Sequence, residues 1–137
     1  MDSIEEKYNI EYVYGKRYYV EDLTKRSFNF EYSTPFMFVL NEKTYFESSW
    51  KQMILKITSI LINETNISKD EYLALKNDWG NQAVFSVTPH KNYEIVPNGL
   101  YMNLNHTAVH DVWTLQLILN FFKVDLSRCK LLIKRNG

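Results

Sequence analysis

The chain has 137 residues, of which 45% are hydrophobic and 15% aromatic, and its 16 Lys and Arg residues balance 16 Asp and Glu residues. A chain of this length buries roughly two thirds of its unfolded surface, which is enough for one hydrophobic core. The aromatic content excludes a disordered chain, the 4 glycines exclude a collagen-like fibre, and the single cysteine excludes a disulfide scaffold. We therefore expect one soluble domain.

We expect neither a secretion signal nor a membrane-spanning segment. Its first residues do not show the charged and then apolar order of a signal peptide, and the longest apolar run is residues 36–40. A bilayer-spanning helix needs about 20 apolar residues. We expect a cytoplasmic protein that does not contact a membrane.

The N-terminal part is rich in tyrosine and alternates with a period of two. Ile10, Tyr12 and Tyr14 share one face of a predicted strand, and the pair Gly15-Lys16 can turn the chain back into residues 17–20. This pattern predicts a β-hairpin that exposes tyrosine rings. We divide the chain into a Tyr-rich extension, residues 1–34, and a core module, residues 35–137, which together form one compact domain.

Helix-capping motifs mark two of the predicted elements of the core module. Residues 35–46 predict a second hairpin, and capping boxes begin helices at Ser49 and Ser68. Three short strands are predicted at residues 83–88, 93–96 and 100–104. The fold class is therefore α+β, a mostly antiparallel sheet with about three helices packed on one face, preceded by the Tyr-rich hairpin.

The third predicted helix, residues 107–123, is apolar around most of its circumference. Such a helix is either buried between layers or lies in an interface, so a homodimer through it is one expectation. The last strand, residues 130–134, returns to the sheet beside it.

One cluster has the spacing of a metal-binding helix. His106 and His110 are four residues apart and Asp111 follows them, but no Glu follows His106 and the remaining histidine, His90, lies in a predicted turn. A metal-dependent enzyme using His106, His110 and Asp111 is the less favoured alternative. The single cysteine, Cys129, is expected to be a small buried hydrophobic residue. The sequence has no phosphate-binding loop. We expect no catalysis, cofactor or metal.

Charge drifts along the chain from acidic to basic. Residues 1–50 have nine acidic and six basic side chains, whereas residues 101–137 have two acidic and five basic ones. Tyr and Arg dominate the energetics of protein interfaces, and stacked rings beside cations also suit single-stranded nucleic acid. Zero net charge disfavours a general nucleic-acid binder. We expect the partner to be a protein, with nucleic acid as the alternative, and the predicted binding residues are Tyr12, Tyr14, Lys16, Arg17, Tyr18, Tyr19, Lys25 and Arg26.

Three segments of the core carry a resemblance to a known module. The hairpin strand at residues 35–40, the helix start at residues 49–54 and the strand at residues 99–104 resemble a small C-terminal accessory module of bacterial restriction- and mobile-element-associated proteins. The matching positions are packing residues, so the resemblance implies a fold and no catalytic site. It implies a phage- or element-encoded protein that inhibits a bacterial defence nuclease complex, of the anti-restriction or anti-CRISPR type.

Overall fold

The computed structural model describes residues 9–21, 23, 24, 33–104 and 107–135. Within these residues the chain has the predicted α+β class, with three helices and two antiparallel sheets. In chain order the elements are β1 (Asn9–Val13), β2 (Lys16–Glu21), β3 (Ser33–Leu40), β4 (Lys43–Phe46), α1 (Trp50–Glu64), α2 (Lys69–Ala74), β5 (Phe85–Ser86), β6 (Tyr93–Val96), β7 (Leu100–Asn103), α3 (Ala108–Phe121), a 3-10 turn (Leu126–Arg128) and β8 (Lys130–Arg135).

The larger sheet has five strands in the order β1-β2-β8-β3-β4. The last strand of the chain lies between the two N-terminal hairpins, with Val20 opposite Leu132 on one side and Phe38 opposite Leu131 on the other. The Tyr-rich hairpin is therefore hydrogen-bonded into the sheet of the core module through β8.

The predicted strands of residues 83–104 form a separate sheet of three strands, in the order β5-β7-β6. This second sheet was not predicted. Only Phe85 and Ser86 of the predicted strand 83–88 are paired as a strand, opposite Met102 and Tyr101. Helix α1 packs against both β3 and β6, so it joins the two sheets.

Each of the three helices begins at a capping hydroxyl, two of which were predicted. The hydroxyls of Ser49, Ser68 and Thr107 accept hydrogen bonds from backbone N–H groups in the first turns of α1, α2 and α3. These bonds satisfy donors that a helix leaves unpaired at its N-terminus. The three serine and threonine positions therefore set where the helices begin.

Helix α3 is the centre of the hydrophobic core. Val112, Leu115, Ile118 and Leu119 are fully buried and belong to one cluster with residues of α1 and both sheets. The apolar character of this helix is therefore accounted for within one chain. Within the described part of the chain, none of the helices combines the length and the apolar composition that crossing a bilayer demands.

Two hydrogen bonds from the helices reach Leu23 and Ser33, which lie after the Tyr-rich hairpin and at the start of β3. Leu23 is buried in the core cluster, and its carbonyl oxygen accepts a hydrogen bond of 3.0 Å from the Gln116 amide of α3. The indole of Trp50 at the start of α1 donates a hydrogen bond of 3.0 Å to the carbonyl of Ser33. The hairpin is thus anchored at its base.

Candidate functional site

The candidate site is the hairpin formed by β1 and β2. Tyr12 lies directly opposite Arg17, and Val13 opposite Lys16, so the tight turn consists of Tyr14 and Gly15. The predicted turn, Gly15-Lys16, lies one residue later. Tyr14 therefore does not continue the strand face that carries Tyr12.

Strand alternation divides the predicted binding residues between two faces of the sheet. Arg17 and Tyr19 lie on the face that packs on the helices, together with Tyr12, because Tyr19 is opposite Ile133 of the core. Lys16 and Tyr18 lie on the other face. Lys25 and Arg26 lie outside the described residues.

Four residues form what we call the hairpin surface, defined as Tyr12, Tyr14, Arg17 and Tyr19. Tyr14 is 98% exposed and Tyr12 is 60% exposed, whereas Tyr19 is half-buried against the core. The Arg17 guanidinium donates a hydrogen bond of 3.2 Å to the Tyr19 hydroxyl and lies 5.5 Å from the centroid of that ring. The core thus holds Tyr19, and Tyr19 orients Arg17 on β2, close to the hairpin turn.

Tyr14 occupies a backbone conformation that tyrosine does not favour. Its φ is 52° and that of Gly15 is 78°, which are the two left-handed positions of a tight hairpin turn. Asn, Asp and Gly are the residues that adopt the first position readily, and other side chains lose about 1 kcal/mol there. The turn therefore carries a large exposed ring where a small polar residue would give a more stable hairpin.

Tyr18 is part of a different cluster, which was not predicted. Its ring is buried and stacks on Phe36, with centroids 3.9 Å apart and planes within 8°. Phe46 meets Phe36 edge-on, and the Lys134 ammonium lies over the Tyr18 and Phe36 rings. The sequence contained a pattern that could have predicted an exposed ring at Phe46, because Phe46 shares its strand face with the polar residue Thr44.

In the described part of the predicted histidine cluster, His110 packs against tryptophan rings. His110 is half-buried and stacks parallel to Trp79 at 5.3 Å, with Trp113 at 5.2 Å. His106 lies outside the described residues. Asp111 is only 6% exposed, and burial raises its pKa from 3.8 to about 7, although the nearby Lys51 ammonium acts to lower it.

The described residues contain no group of three or more His, Cys, Asp or Glu side chains that could hold a metal ion. Cys129 is half-buried, and its thiol lies 3.7 Å from the carbonyl of Asp125. Burial raises the pKa of this thiol, and the Asp125 carboxylate raises it further. The thiolate that a nucleophile or a metal ligand requires is thus disfavoured at this position.

No protein-family model, curated protein or solved structure matches this chain.

Proposed function

We propose that the chain is a non-catalytic protein-binding module whose contact surface is the hairpin surface. The observation that carries the proposal is the tip residue Tyr14, which is almost completely exposed and has a positive φ. A large side chain with a positive φ destabilises the turn, and the Tyr14 ring gains no compensating packing from the residues that the structure describes. Burial of the ring against a partner would compensate for both.

The neighbouring residues support a protein partner. Tyrosine and arginine are enriched among the residues that contribute most to protein interfaces, because they bury a large area and also form hydrogen bonds. Arg17 is held by Tyr19 before any partner arrives, which lowers the conformational entropy lost on binding. Tyr12, Tyr14 and Arg17 therefore offer a small, partly ordered contact surface.

The partner class follows from the resemblance of residues 35–135 to a module of restriction- and mobile-element-associated proteins. On that basis we propose that the partner is a bacterial defence nuclease complex and that the chain inhibits it. A second copy of this chain is the other partner to test, and light scattering on the purified protein distinguishes a homodimer from a monomer.

The proposal is tested by affinity capture with variants of the hairpin surface. The immobilised chain is incubated with an extract of the cell in which it acts, and the recovered protein is measured for the wild type, Tyr12→Ala and Tyr14→Asn. Because Asn favours the left-handed turn conformation, Tyr14→Asn removes the ring and leaves the hairpin intact. We expect the wild type to capture one specific protein, and we expect either variant to recover at least about tenfold less of it. A tenfold reduction corresponds to the loss of an interface residue that contributes ~1.4 kcal/mol to binding.

Ile95→Ala is the matched control. Ile95 is 78% exposed on β6 of the second sheet, so its replacement removes exposed apolar area elsewhere on the molecule. Capture equal to that of the wild type is expected for this variant. Equal capture by all four proteins, or no specific capture by the wild type, would contradict the proposal.

A further inference from the structure

The outward face of the five-stranded sheet carries a second cluster that the hairpin surface does not include. The core cluster contains Phe38, Leu40, Leu131 and Ile133, which alternate with the residues of the outward face. Four of the residues on the outward face form what we call the aromatic face, namely Tyr18, Phe36, Phe46 and Lys134.

A β-bulge gives Phe36 its outward direction. Pro35 is opposite Ile133 and Met37 is opposite Leu132, the adjacent residue, so Phe36 is the extra residue of the bulge. Bulges redirect a side chain and increase local twist. Here the ring of Phe36 stacks on Tyr18 across the intervening strand β8, and Phe46 meets it at 5.4 Å. Phe46 is 52% exposed, so one large ring remains available to a ligand.

The same face has an excess of positive charge. Lys130 forms an ion pair with Glu11. Glu47, which directly follows β4, forms an ion pair of 2.6 Å with Lys56. Lys16 and Lys134 have no ion-pair partner among the residues that the structure describes. The balanced charge of the whole chain thus leaves two unpaired ammonium groups on the face that carries the rings.

A shallow groove of about 340 Å³ is lined by Phe36, Phe46 and Lys134 together with Thr34, Pro35, Glu47 and Ser48, and the Glu47 carboxylate is already paired with Lys56. Ring faces, hydroxyls and ammonium groups side by side match a ligand that is both planar and anionic. Bases stack on aromatic rings with little sequence preference, and the phosphates of the same strand pair with lysine. We propose that the aromatic face binds a short stretch of single-stranded nucleic acid, with a base on Phe46 and phosphates at Lys134 and Lys16.

Other occupants fit less well. An acidic peptide would pair with the two lysines but would leave the exposed ring of Phe46 uncovered. A second copy of the chain, placed symmetrically on this face, would bring its own Lys16 and Lys134 towards those of the first copy, and like charges at close range are repulsive. The aromatic face is also separate from Tyr12 and Tyr14, so this inference does not depend on the proposed function.

The test is fluorescence anisotropy with the full chain and labelled oligothymidylate and oligouridylate of about 12 nucleotides, which covers the usual site sizes. We expect binding at ~50 mM salt that weakens as salt increases. Phe46→Leu keeps the apolar contact but removes the ring, and we expect it to weaken binding about fivefold or more. For Lys134→Gln we expect weaker binding and a salt dependence reduced by about one unit of slope.

Matched controls are Ile95→Ala and Lys91→Gln, which remove an exposed apolar and an exposed basic side chain from the region of the second sheet. Both controls, and Tyr14→Asn, are expected to bind like the wild type. Circular dichroism confirms that each variant is folded. Absence of binding at low salt, unchanged affinity in both Phe46→Leu and Lys134→Gln, or equally tight binding of an acidic peptide in place of the oligonucleotide would overturn the inference.

Discussion

Asp111 makes the stability of the fold depend on pH in a direction opposite to that of most carboxylates. Its side chain is buried in the first turn of α3, and its Oδ1 atom has no hydrogen-bond partner among the described residues. Burial raises its pKa from 3.8 to about 7 and outweighs the attraction of Lys51, which lowers it. Between these two values the folded chain keeps a proton that the unfolded chain releases.

The sign and size of the effect follow from this difference in pKa. The folded pKa is the higher one, so the stabilising contribution is fully present below pH 3.8 and is lost as pH rises through about 7. Between pH 3.8 and about pH 7, each pH unit lowers the free energy of unfolding by at most ~1.4 kcal/mol. The largest possible loss over this pH range is therefore on the order of 4 kcal/mol. Asp111→Asn has nearly the same shape and no charge. We therefore expect its free energy of unfolding, relative to the wild type, to increase from pH 4 to pH 7 and then to level off.

The assay is urea unfolding of both proteins at a series of pH values, monitored by tryptophan fluorescence. Asp125→Asn is the control, because hydrogen bonds from Ser127 lower the pKa of this exposed carboxyl. The contribution of Asp125 is lost only as pH falls through that lowered pKa, so its difference from the wild type stays flat between pH 5 and 8. A flat difference for Asp111→Asn over the same range would refute the reasoning.

Two further predictions concern the turns. Tyr14→Asn should raise the free energy of unfolding by about 1 kcal/mol, because Asn adopts a positive φ more readily than Tyr; a lower melting temperature than that of the wild type would contradict this. Asn77→Ala should lower the free energy of unfolding by about 1–3 kcal/mol, because the buried Asn77 Oδ1 accepts hydrogen bonds from the N–H groups of Gly80 and Gln82 at 2.9 and 3.2 Å. Asn77→Asp keeps the acceptor oxygen and should lose less in urea unfolding; an equal loss in both variants would argue against these bonds.

Local patterns in the sequence were sufficient to predict the helices and hairpins. Ser49 and Ser68 cap helices as predicted, because a capping hydroxyl acts on N–H groups within three residues of itself. The second hairpin also forms where it was predicted, with its turn at Asn41 and Glu42. These features depend on short-range chemistry.

Features that depend on long-range pairing were not predictable. The position of β8 between β2 and β3, and the division into two sheets, depend on contacts between residues far apart in the chain. The bulge at Phe36 reverses the face that simple alternation assigns. For the candidate site, the exposure of Tyr12 and Tyr14 was predicted. The separation of Lys16 and Tyr18 from Arg17 and Tyr19 follows from the alternation of strand β2 and was not recognised in the set of predicted binding residues.

The central claim is that the hairpin tip contacts a protein partner, and the most direct measurement is site-specific photocrosslinking. A photoreactive phenylalanine analogue replaces Tyr14 in one variant and Ile95 in another, and both chains are irradiated in the cell in which the protein acts. We predict one discrete crosslinked protein from position 14 and none from position 95. The absence of a crosslink at position 14, or the same products from both positions, would contradict the claim.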